Sequence, residues 1–181
     1  MTQILFLRAV NLGNTNKVPM KRLMQVMSAA ALGEPSFLLQ SGNVIVANSR
    51  LPLGELKRAT EELILSEFGV STAVIARTPA RLAHVVAANP FTAPAGGSVH
   101  AAFWDAAPEA DYLAALAAER FEDAELSLTD GAAYMRYEGS SHTSKLSNAL
   151  LERRLKVPST ARNVNTLHRL LALEAVASQL D

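Results

Sequence analysis

Between Gln3 and Arg77 the chain alternates short apolar runs with helically spaced stretches in the order β-α-β-β-α-β, and that order most restricts the folds open to it. "QILFLRAV" is a short apolar run of the kind that makes a buried strand. "VPMKRLMQVMSAAALG" then places Met20, Leu23, Met24 and Met27 on one helical face, with Pro19 suited to the first turn and Gly33 to the C-terminal cap. "SFLLQSGNVIVAN" predicts a hairpin turning at Ser41-Gly42-Asn43, residues that tolerate positive φ. A second helix is expected from about Leu53 to Phe68, with Leu56, Leu63 and Ile64 inward and Gly69 as its stop. "VSTAVIAR" closes the half as a strand.

The rest of the chain nearly repeats this order. A helix after Thr78-Pro79, reaching Ala88, leads through the loop "NPFTAPAGG" to a strand, "SVHAAFW". A helix capped near Asp105 follows, with Pro108, Glu109 and Asp111 in its first turn. A second hairpin, "AELSLTDGAAYMRYEG", turns at Asp130-Gly131, and helices over 144–155 and 163–179 finish the chain, separated by Val157-Pro158-Ser159. The expectation is an α+β fold of two ferredoxin-like halves, a pseudo-duplication with C-terminal helices packed as one compact unit. The halves are expected at 1–78 and 79–181. With 181 residues, 49% of them hydrophobic and 19% charged, the chain can bury a sizeable core without a second independent domain.

Composition removes several chemistries. There is no cysteine, so thiol nucleophiles, disulfides, thiolate zinc sites and iron–sulfur clusters are excluded. His84, His100, His142 and His168 lack metal-ligand spacing, and there is no H-E-x-x-H, so neither a metal nor a cofactor is expected. His142 near Ser140, Ser141 and Ser144 lacks the G-x-S-x-G elbow of a serine hydrolase. Glu61-Glu62 and Glu122-Asp123 read as solvated carboxylates on helix faces or turns. Ile4–Leu7 is too short for a signal-peptide core or a membrane span, so a cytoplasmic protein without a membrane partner is expected. Nothing in the sequence specifies an oligomeric state.

Net charge is zero, yet the bases are gathered in two segments: Arg8, Lys17, Lys21 and Arg22 without an acid, and Lys145, Arg153, Arg154, Lys156, Arg162 and Arg169 against Glu152 alone. In each segment a loop from a strand end carries a lysine towards a helix start, through "RAVNLGNTNKVPM" and "GSSHTSKLSNALLERRL". Free N–H groups at a helix N-terminus, hydroxyls and a lysine suit an anion. The second segment is no P-loop. Its second glycine position is serine and its magnesium-binding hydroxyl position is Leu146, which disfavours a nucleoside triphosphatase. Thr143 or Ser144 as an ordinary N-cap beside a solvated lysine is the simpler alternative.

"LRAVNLGNTNKVPM", "QSGNV", "ANPF", "SKLSNALLERRL" and "TARN", in this order and at these distances, resemble the bacterial family DUF1697 over essentially the whole chain. The resemblance implies two ferredoxin-like α+β halves and supplies no activity. Its pattern marks Arg8, Asn11, Gly13 and Lys17, then Gln40, Ser41, Gly42 and Asn43. Further on it marks Ser144, Lys145, Asn148, Arg153 and Arg154, and finally Arg162 and Asn163. The sequence departs from it at Asn14, where a second glycine is usual, and at Val164, where an aromatic is usual. These residues are the candidate ligand-binding set, with Lys17 and Lys145 expected to share an anion. The expected ligand bears phosphate: a nucleotide, a phosphorylated metabolite or a nucleic-acid backbone. An enzyme acting on a small anionic substrate, and a structural or oligomer-forming protein without a small ligand, remain open.

Overall fold

A computed structural model describes residues 1–129 and 131–177. The chain divides into two compact units, Met1–Leu82 with the segment from Arg169, and Ala83–His168. In the first unit, β1 (Gln3–Leu7), α1 (Met20–Ala29), β2 (Glu34–Leu38), β3 (Asn43–Ala47), α2 (Leu53–Phe68) and β4 (Val74–Arg77) follow the expected order, and α3 (Pro79–Ala87) comes next. The strands form an antiparallel sheet ordered β2-β3-β1-β4. β1 and β3 read as unbroken apolar runs because both of their faces are buried. Leu5, Leu7, Val44 and Val46 pack with Leu23, Met27, Leu56 and Ile64 from α1 and α2, while Ile4, Phe6 and Ile45 are buried on the other face.

The second unit repeats the order in full: β5 (Ser98–Trp104), α4 (Ala110–Ala118), β6 (Ala124–Thr129), β7 (Ala132–Tyr137), α5 (Asn148–Leu155) and β8 (Ser159–Asn163), followed by α6 (Val164–Ala177). Its sheet, ordered β6-β7-β5-β8, matches the first strand for strand. Both expected hairpins are present, pairing Leu38 with Asn43 and Thr129 with Ala132. Asp130 in the second turn, and the expected α6 residues beyond Ala177, lie outside the described residues.

β8 corrects the sequence reading, which placed a connection there. "STARN" has no apolar pattern, but β8 is an edge strand with one paired neighbour. Its small side chains stand opposite the bulky ones of β5, Thr160 opposite Phe103 and Ser159 opposite Trp104. Three helix ends also differ. α1 stops at Ala29, with Ala31 rather than glycine in the left-handed region at φ 54°. Gly33 serves the start of β2 instead, where an added Cβ would lie 2.6 Å from the Ala47 carbonyl oxygen. α4 begins behind Glu109, not Asp105. α5 begins at Asn148 rather than Ser144, because buried Leu146 pins the preceding loop: its carbonyl accepts from the Tyr137 hydroxyl at 2.8 Å and its N–H donates to Ser144 Oγ at 3.1 Å.

Candidate anion-binding cleft

Ser147, not Thr143 or Ser144, caps α5, its Oγ accepting from Leu150 N–H. Lys145 therefore lies in the loop before the cap, and its side chain is exposed. In a β-α-β-β-α-β unit the α4–β6 and β7–α5 connections emerge at the same edge of the sheet. Here they enclose a cleft of about 580 Å³, lined by Arg120 and Phe121 from one connection, Ser144, Lys145 and Ser147 from the other, and Arg153 from α5.

The charges of this cleft are unevenly engaged. Arg154 Nε and Nη2 donate to the Glu119 carboxylate, and this pairing raises the guanidinium pKa further. Arg120 Nη1 donates to the Ala117, Ala118 and Glu119 carbonyls that close α4, which places its positive charge at the negative end of the helix. Among the described residues, the side chains of Lys145 and Arg153 make no hydrogen bond or ion pair. No motif in the sequence marks Arg120 or Phe121. The signal for them was topological, since the connection after the helix opens on the same edge as the Lys145 loop.

Other marked residues in this unit serve the frame. Asn148 ties α5 to β8, donating to the Ser159 carbonyl at 3.1 Å and accepting from Ser159 Oγ at 2.9 Å. Asn163 Oδ1 accepts from Asn165 N–H where α6 begins. Arg162 donates to Thr160 Oγ1 at 2.6 Å, and loss of solvent around its guanidinium lowers its pKa to about 10.

The other marked set comes together in the first unit. Asn11 Nδ2 donates to the carbonyls of Val18 at 2.9 Å and Gln40 at 2.7 Å, and Asn11 Oδ1 accepts from Val18 N–H at 2.9 Å. One side chain thus closes the β1–α1 loop on itself and fastens it to the β2–β3 turn. Leu7 N–H donates to Gly42 O, Arg8 N–H to Ala73 O, and Asn43 Nδ2 to Leu38 O and Ser41 Oγ. Lys17 Nζ donates to Gly13 O at 2.6 Å across the exposed end of this loop. Lys17 follows the first strand of its unit and Lys145 the third strand of the other, so the two junctions are not topological counterparts.

His100 lies edge-on to Tyr137, ring centroids 5.3 Å apart, and burial, with His142 adding to it, lowers its pKa below the usual histidine value. The unfolded chain therefore takes up this proton first. Stability is expected to fall as the pH drops below about 6.5, and His100→Gln should flatten that decline in urea titrations run at successive pH values.

Among the described residues no group of three or more His, Asp or Glu gathers as a metal site, and no helix is long and apolar enough to cross a membrane. A family model described as "Protein of unknown function (DUF1697)" matches residues 1–134. The match ends before the Lys145 loop. Among solved structures, a conserved bacterial protein, SP0830, from Streptococcus pneumoniae is similar at a TM-score of 0.69 and 19% identity, covering 94% of this chain and 97% of that one. This likeness extends the shared fold through both units. No curated protein matches by sequence.

Proposed function

The chain belongs to the DUF1697 family, and we propose that it binds a phosphate-bearing ligand in the cleft between the α4–β6 and β7–α5 connections. The observation that carries this reading is the convergence of Arg120, Lys145 and Arg153 on one concave surface, together with the Ser144 and Ser147 hydroxyls. The carboxylate among the lining residues, Glu119, is already neutralised by Arg154. An oxyanion there meets point charge from Lys145, planar donors from the arginines and neutral donors from the serines, the mixture that phosphate recognition uses.

The test is calorimetric titration of the intact protein with inorganic pyrophosphate and nucleoside phosphates. Lys145→Ala is expected to weaken binding roughly tenfold to a hundredfold, the loss of one charge-assisted contact. Fold stability should stay nearly unchanged, because the side chain is exposed. A nucleic-acid backbone running past Arg153 and Arg154 would instead give a steep salt dependence, falling by about one unit of slope per basic residue removed. Absence of binding by any phosphate compound at millimolar concentration would overturn the proposal.

A further inference from the structure

The cleft does not end at its basic wall. A second hollow of about 300 Å³ is lined by Arg120, Phe121, Lys145 and Thr143 and reaches Glu122 and Asp123. Arg120, Phe121 and Lys145 line both hollows. The two adjoining hollows differ in charge: Arg153 lines the first and not the second, Glu122 and Asp123 line the second and not the first, and Phe121 lines both. A ligand spanning the pair as one groove would meet cations in one and carboxylates in the other. Phe121 is half-buried and packs on the core of its unit, which fixes one side of the groove. Among the described residues, neither Glu122 nor Asp123 makes a hydrogen bond or ion pair, so these carboxylates keep their accepting capacity.

A bare phosphate or sugar phosphate has no use for the second hollow, where the carboxylates would repel it. A ligand matching the whole groove has an anionic head, a flat apolar middle and a terminus rich in N–H donors. Among the nucleobases, guanine offers two adjacent donors, N1–H and the N2 amino group, spaced to meet one carboxylate in parallel. Adenine and cytosine set an acceptor beside their amino group, and uracil flanks its single N–H with carbonyls. A carboxylate facing those edges meets a lone pair as well as a proton.

Resting on the phosphate-binding reading above, we propose that the groove takes a guanine nucleotide, with phosphate at Lys145 and Arg153, base against Phe121 and guanine N–H groups on Glu122 or Asp123. Guanosine monophosphate, adenosine monophosphate and ribose 5-phosphate, titrated separately into the full chain, test it. Guanosine monophosphate is expected to bind at least about tenfold more tightly than either of the others, the order of discrimination a good bidentate contact gives. The double variant Glu122→Gln with Asp123→Asn should remove that advantage while leaving ribose 5-phosphate no weaker. Phe121→Leu, which keeps apolar packing but loses the flat ring, should weaken both nucleotides relative to ribose 5-phosphate. Lys145→Ala should weaken all three alike. Equal binding of guanosine monophosphate and ribose 5-phosphate, or of the two nucleotides, would overturn the guanine assignment and leave phosphate binding standing. Binding of none of them, nor of pyrophosphate, would remove both.

Discussion

Gly42→Ala is expected to cost about 3 kcal/mol or more in a urea unfolding titration, well above the cost of the same change at Gly69. Both glycines hold a left-handed backbone, φ 79° at Gly42 and 65° at Gly69, and that conformation alone costs an alanine roughly 1–2 kcal/mol. They differ in what surrounds them. Nothing lies within 4 Å of a Cβ built on Gly69, whereas one on Gly42 would stand 2.7 Å from Leu7 Cβ and 2.8 Å from Val10 Cγ2. Leu7 and Val10 are buried and packed in the core of their unit, so neither can give way without disturbing it, and overpacking of this kind adds roughly 1–3 kcal/mol. The Gly42 carbonyl also accepts from Leu7 N–H at 2.8 Å, so the turn cannot slide off without losing that bond. Equal costs at the two positions would show that this seat is soft.

Where the fold was legible in sequence, one local signal coincided with burial. α2 was read at its observed ends because Leu56 and Ile64 keep a helical face and Gly69 supplies the left-handed stop. The hairpins were legible because their turn residues interrupt apolar runs. β8 was not, since a polar edge strand is specified by the large residues it lies against, Phe103 and Trp104, about 55 positions earlier in sequence. The start of α5 was misplaced for a related reason: several hydroxyl residues compete to cap it, and the choice of Ser147 follows from the anchoring of Leu146 by Tyr137. The candidate cleft was half legible. Lys145 and Arg153 stood out by charge, but Arg120 and Phe121 join them through the folding of the sheet, and no local pattern connects the two stretches.

Asn11→Ala is expected to destabilise the protein by about 3 kcal/mol and to expose the 9–18 loop to amide hydrogen exchange, while Lys17→Ala leaves stability within about 0.5 kcal/mol. The two residues share a loop and a family pattern, but their physical situations differ. The Asn11 amide takes part in three hydrogen bonds to backbone groups of Val18 and Gln40. Each such bond contributes about 1 kcal/mol net, and unsatisfied partners cost more when they are shielded from water. Asn11 also sits at φ 55°, a region asparagine occupies far more readily than alanine. Comparison with Asn11→Gly separates the two contributions, because glycine restores the backbone freedom without the amide. The glycine variant should recover about 1 kcal/mol of the loss and no more. Asn11→Asp should recover little, since it keeps the acceptor for Val18 N–H but turns a charged oxygen towards carbonyls that received a donor. Lys17 makes its contact with Gly13 O at the exposed end of the loop, where water replaces it at little cost. If Asn11→Ala unfolded at the wild-type urea midpoint, Asn11 would not be the clasp of this loop. A loss shared by the alanine and aspartate variants and only partly relieved by glycine would assign Asn11 to the architecture of the loop.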